Sequence, residues 1–262
     1  MTPWFRWEYT RFSELAVLKK ILNNKRVSFI ALLVLIAACA TGPKVAERPD
    51  PWQVDKDDFI RYAKVIGVAD LYLPGGMEDP ELIRQNFTDV ILTTLRNSGY
   101  TVVQPQKYET NWQRIITELG GIEDTVSIGQ NPKKIAIAMV KTLDELDAGF
   151  EIDAVLVPSI IVVEAPFASG VAAWDGARQS IKSGGAVKSF LAGSPEGTLG
   201  ALSLSVTLTS PHGNTYFVHT GGIEVLSKLE GDNFVLVPRS ELFTDQKRIE
   251  ESVSIALKPL ID

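Results

Sequence analysis

Apolar positions recur with two different periods along this chain, and the change between them divides it. From residue 64 strand-like and helix-like segments alternate. Lys64 to Leu73, KVIGVADLYL, reads as a strand that stops at Pro74-Gly75-Gly76. Asp79 and Pro80 then open a helix as N-cap and first helical residue. Ile83, Phe87, Ile91 and Leu95 fall every fourth position on its inner face, and Gly99 ends it. Tyr100 to Gln104 is a short strand closed by Pro105. A second helix over 107–119 gathers Tyr108, Trp112, Ile115, Ile116 and Leu119 on one side. Asn131-Pro132 repeats the cap-and-proline start, and the third helix turns Ile135, Met139, Leu143 and Leu146 inward. Asp153 to Val163, DAVLVPSIIVV, is a long apolar strand placed at the centre of a sheet. Pro158 inside it lacks a ladder donor, which predicts a bulge or an unpaired edge there.

The second half switches to a period of two. In ALSLSVTLT, residues 201–209, Leu202, Leu204, Val206 and Leu208 face one way and Ser203, Ser205, Thr207 and Thr209 the other. That is a half-buried antiparallel strand. Pro211-His212-Gly213-Asn214 makes a turn, and Thr215 to Leu226 returns as its partner, interrupted at Gly221-Gly222. A last helix over roughly 243–258 buries Ile249, Val253, Ala256, Leu257 and Leu260. The order β-α-β-α-α-β, then antiparallel strands, then α, predicts an α/β (α+β) fold: a single mixed sheet with an antiparallel hairpin half and helices packed against it.

The amino-terminal part follows neither period. Val27 to Ala38, VSFIALLVLIAA, is an unbroken run of 12 apolar and small residues preceded by Lys19, Lys20, Lys25 and Arg26. A helix crossing a bilayer needs ~20 such residues. A basic flank, a short apolar stretch and small residues at its end instead describe an export signal. The run ends Ile36-Ala37-Ala38-Cys39, which resembles the lipobox of bacterial lipoprotein precursors. The resemblance implies a signal peptide over 1–38, cleavage before Cys39, and a diacylglyceryl (palmitate-type) anchor on its sulfur. Two or more acyl chains hold a protein stably where one does not. Ala40 after the cysteine resembles the pattern sent to the outer membrane, with the domain on its periplasmic face. Residues 39–58, with Pro43, Pro49 and Pro51 and no apolar periodicity, read as a lipidated tether. The domain is then 59–262.

Composition narrows the partners. Of 262 residues 45% are hydrophobic and 22% charged, which fits a globular chain and excludes a disordered one. The formal net charge is −6. Residues 1–38 hold 6 basic and 2 acidic residues, so the remainder carries 20 basic against 30 acidic, a net −10. Such a surface does not suit nucleic acid, and membrane attachment falls to the lipid alone. One Cys and two His leave no Cys/His zinc site and no intrachain disulfide. No cofactor or metal is expected.

Catalytic signatures are sparse. The sequence has no G-x-S-x-G elbow, no P-loop and no G-x-G-x-x-G. A Ser-His-Asp site on His219 would have to borrow Ser159 and Asp175 from elsewhere. Acid pairs such as Asp57-Asp58 and Glu250-Glu251 read as solvated faces. Glu164 to Gly200 keeps neither period throughout, and it contains Trp174, Asp175, Arg178 and Gln179. Aromatic residues with Arg are the composition of interface hot spots, so these four are the candidate protein-binding residues. The competing reading is a pair of short strands with Trp174 completing the core.

The order of elements over 64–260 resembles the α/β module of the TolB amino-terminal domain, the curli-secretion lipoprotein CsgG and the penicillin-binding-protein activator LpoB. The matching pieces are the first strand and helix, the DAVLVPSI strand, the hairpin LSLSVTLTSPHGNTYFVHTGG and the closing helix. Pro158 stands where those families commonly have Gly. The resemblance implies an envelope protein that binds other proteins. The expectation is therefore a non-enzymatic assembly or regulatory lipoprotein, its partners being the bilayer, other envelope proteins or a second copy of itself. A cell-envelope hydrolase and a carrier of a small apolar ligand are the alternatives.

Overall fold

The computed structural model describes residues 50–121, 131–182, 196–231 and 233–262, all within one unit that runs from Val45 to Asp262. Cys39, the lipobox, the export signal and the tether up to residue 49 lie outside the described residues.

The central layer is a mixed sheet. Strand β1 (Val65–Val68) pairs in parallel with β2 (Thr101–Val103) on one side and with β3 (Ala154–Ala168) on the other. Strand β6 (Gly197–Thr209) runs antiparallel to β3 from Val155↔Thr209 to Phe167↔Gly197, and β7 (Thr215–Val225) runs antiparallel to β6. The order is thus β2-β1-β3-β6-β7, half parallel and half antiparallel, in the α/β class the periodicities predict.

Helices α2 (Pro80–Asn97) and α5 (Gln246–Ile261) cover one face. Ile83, Phe87, Ile91 and Leu95 of α2 meet Ile249, Val253, Ala256, Leu257 and Leu260 of α5 over Leu156, Ile160, Leu202, Leu204, Val206 and Leu208. Helices α3 (Pro105–Glu118) and α4 (Pro132–Phe150) lie on the parallel half's other face, where Leu143 and Leu146 close over Val155 and Ile152. Asn131 caps α4 through its side chain, whereas Asp79 starts α2 from a left-handed backbone (φ 48°) with no side-chain bond. Pro158 behaves as its missing donor requires. The β1–β3 ladder stops at Val68↔Leu156, the chain bypasses the proline, and contact resumes where Tyr72 N–H donates to the Pro158 carbonyl.

Two expectations are corrected. First, residues 50–58 are not tether. Gln53 N–H donates to the Tyr216 carbonyl and Val218 N–H to that of Pro51, each at 2.9 Å, so this segment sits on the outer edge of β7. Helix α1 (Lys56–Tyr62), capped by Asp55, then lays Phe59 against Trp52 and Tyr216, with ring centroids 5.4 Å apart in both pairs. An edge strand presents unpaired backbone groups, and covering them is what orders these proline-containing residues.

Second, Glu164 to Gly200 is not an irregular insertion in its described parts. Strand β3 continues through Ala168, Ser169-Gly170 turns it into β4 (Val171–Trp174), and Asp175-Gly176 turns that into β5 (Ala177–Ser180). Both turns have two central residues with positive φ, 55° and 77° in the first and 39° and 78° in the second. Their twist matches that of paired strands, and the second position is glycine in each. This β4–β5 hairpin folds over the antiparallel half of the sheet. Phe167, Ala172, Trp174 and Ile181 pack there on Leu199, Ala201 and Val225. Ser203 is consequently buried, and Thr209 is buried at the other end of β6 opposite Val155, although the alternation placed both outside; only Ser205 and Thr207 of that row stay half-exposed. Beyond β7 a small ribbon follows, β8 (Ser227–Glu230) paired with β9 (Asn233–Leu236).

Candidate functional site

The four residues singled out from the sequence all lie on the β4–β5 hairpin, and the structure gives them unequal roles. Trp174 is 3% exposed, and its Nε1–H donates to the Leu202 carbonyl at 3.2 Å. It is core, so it does not present a contact surface. Asp175 at the turn accepts from Ser203 Oγ at 2.6 Å, and its carbonyl accepts from Gly222 N–H at 3.0 Å. Gln179 Oε1 accepts from Val225 N–H at 3.0 Å. Three of the four therefore fasten the hairpin to β6 and β7. Arg178 is exposed and has no ion-pair partner among the described residues.

The hairpin can sit this close because of Gly221-Gly222. A Cβ on Gly222 would stand 2.6 Å from Ala177 Cβ and 2.8 Å from Trp174 Nε1. A Cβ on Gly221, pointing to the opposite face, would collide with the Ser252 carbonyl of α5. Helix and hairpin thus approach β7 from its two sides over bare backbone. The interruption that the sequence shows at these glycines is the β6–β7 register shift beside them, between Leu202 and Ser203.

Between the hairpin and α5 lies a groove of about 490 Å³. Gly222 and Ile223 form its floor, Arg178 and Gln179 one rim, and the first turns of α5 the other. Asp245 caps that helix by accepting from Lys247 N–H, and its other oxygen lies 3.2 Å from Arg248 Nε. Lys247 Nζ is 3.4 Å from Glu251 Oε1 on an exposed surface. The groove therefore offers three cations and two carboxylates, with Ile223 and Ile255 as apolar contacts. Sequence reading missed the α5 rim and took Glu250-Glu251 only as a solvated face. The available signal was Lys247 and Arg248 in a first turn with no acidic residue, where the helix dipole disfavours cations.

The residues of the Ser-His-Asp reading are not assembled. His219 Nδ1 is 3.3 Å from the Ala256 carbonyl, on the α5 side of β7, whereas Asp175 and Ser203 meet on the hairpin side. Ser159, opposite Ser205, faces with Ser203, so Ser159, His219 and Asp175 are not brought together. His212 is exposed in the β6–β7 turn. Among the described residues no three of His, Cys, Asp or Glu cluster so as to hold a metal. No described helix is long and apolar enough to cross a membrane.

No protein-family model and no curated protein matches the chain. The lipoprotein GNA1162 of Neisseria meningitidis is similar in structure at 14% sequence identity, over 62% of this chain and 83% of that one, with a TM-score of 0.31. A likeness at that level assigns neither a fold nor a role.

Proposed function

We propose that the chain is a lipid-anchored protein of the bacterial envelope, held at the periplasmic face of the outer membrane through Cys39. Its folded domain acts there by binding another envelope protein, as an assembly or regulatory factor and not as an enzyme. The basic flank, the 12-residue apolar run and Ile36-Ala37-Ala38-Cys39 support the anchor. The binding role is carried by one observation: Trp174, Asp175 and Gln179 are consumed in holding the hairpin rigid, while Arg178 is left exposed over a groove. The hairpin fixes the backbone that carries Arg178, so little main-chain freedom is lost on association, and its guanidinium can pair a carboxylate bidentately.

Two measurements test this. The intact mass of protein purified from membranes should correspond to a chain beginning at Cys39 and carrying acyl groups, and Cys39→Ser should remain the uncleaved, unlipidated precursor. A photo-crosslinking residue at position 178 should trap a protein partner in cells, whereas one at Leu82, 56% exposed on α2, should not. An unmodified full-length mass removes the anchor, and equal trapping at both positions removes the groove.

A further inference from the structure

We infer that the groove beside Arg178 takes an extended acidic peptide segment, a carboxylate of which pairs with the Arg178 guanidinium. The inference rests on the binding role proposed above and names the chemistry of its partner. Three observations carry it.

The first is local charge. The chain from residue 39 on has a net −10, yet the groove collects Arg178, Lys247 and Arg248 against Asp245 and Glu251. A positive rim on a negative domain attracts anionic segments.

The second is the placement of the cations. Lys247 and Arg248 occupy the first turn of α5, where the positive end of the helix dipole already lies. Asp245 answers Arg248 at 3.2 Å and Glu251 answers Lys247 at 3.4 Å. Nothing described answers Arg178. An incoming carboxylate supplies the missing partner in a bidentate geometry that Arg favours.

The third is the mixture of linings. Asp245 and Glu251 stand in the same groove as Ile223 and Ile255. The isoleucines give seats for apolar side chains between acidic ones that pair with the cations. A peptide offers both features at spacings a phospholipid headgroup lacks.

The test uses the full-length chain in detergent micelles and a fluorescein-labelled decapeptide of alternating Glu and Val, with the same peptide carrying Gln for Glu as control. Anisotropy should report binding of the Glu peptide and at least tenfold weaker binding of the Gln peptide. Arg178→Glu should weaken the Glu peptide tenfold or more with Tm unchanged, since the side chain is exposed, and Arg178→Lys should recover part of the loss. Affinity for the Glu peptide should fall with added salt. Equal binding of the two peptides, no binding of either, an Arg178→Glu variant that binds as wild type, or displacement of the peptide by phosphatidylglycerol vesicles would each overturn the inference. Crosslinking at position 178 separates this failure from that of the binding role. A partner trapped there without any preference for the Glu peptide leaves the role standing and removes only the acidic chemistry.

Discussion

The buried carboxylate of Glu224 accepts the backbone N–H of Phe243 at 2.6 Å. Phe243 has φ of 60°, a left-handed conformation that a bulky residue rarely adopts, and its ring meets Phe87 edge-on at 5.9 Å. Glu224 thus ties the last central strand to the segment that delivers the chain into α5. Burial raises the Glu224 pKa above the ordinary glutamate value, with the Phe243 N–H, Arg248 and Lys228 opposing the shift.

This linkage has a sign. The folded chain holds the Glu224 proton more tightly than the unfolded chain, so folding is favoured below the ordinary glutamate range. That increment is lost as pH rises through the raised value. Glu224→Gln keeps an acceptor for Phe243 without the charge. Its stability relative to wild type should therefore improve as pH rises from the ordinary glutamate value through the raised one. Glu224→Ala leaves the N–H unpaired and should cost about 1–3 kcal/mol. Denaturant midpoints of the three proteins across that range decide it, and a Gln-to-wild-type difference that is flat with pH would refute the linkage.

Trp174 belongs to the core beneath the hairpin. Trp174→Ala should destabilise by about 3–5 kcal/mol through the cavity it leaves. Trp174→Phe should cost less, losing the Leu202 bond and part of the contact area. Both variants should lower partner capture only as far as they unfold the protein, which a thermal melt run beside the capture assay will show.

Along β6 the two faces should respond unequally. Leu204→Ala should cost about 2–5 kcal/mol, because Leu204 lies in the main core. Ser205→Ala, half-exposed, should fall within about 0.5 kcal/mol of wild type. Ser203→Ala removes the bond to Asp175 in a buried place and should cost about 1–3 kcal/mol. Equal urea midpoints for the two serine variants would contradict the docking of the hairpin on this face.

The segment before α1 should prove structural. Trp52 lies 5.0 Å from Phe217 and 5.4 Å from Phe59, centroid to centroid. Trp52→Ala should therefore destabilise by about 2 kcal/mol or more, whereas a substitution at exposed Asp57 should be silent. Limited proteolysis checks the same point: a stable core should retain residues 50–58 and not begin at residue 59.

Elements with a long, clean period were legible from the sequence. The helices from Ile83 to Leu95 and from Ile249 to Leu260, and the alternation through Leu202 to Leu208, face as their spacing requires. What escaped has a common cause. Pro51, Trp52 and Phe59 are ordered by an edge of β7 that lies far away in sequence. Ser203 is buried by a hairpin whose arrival no period in β6 announces. The hairpin itself carried a local sign, Asp175-Gly176 between short strands, which the mixed composition around it obscured. Of the groove, the sequence pointed to one rim, the β4–β5 hairpin, and not to α5. It could not tell that Trp174 points inward while Arg178 stays out, since one hairpin bears both.

The glycine pair in β7 has a consequence for selectivity. With no side chain at Gly221 or Gly222, the separation of hairpin and α5 is set by main-chain dimensions. Rotamers hop and adapt to what binds, but a peptide plane has a fixed thickness. The backbones on the two sides of β7 should therefore keep a constant separation, and only the side chains on the two rims can adjust the width that a guest meets.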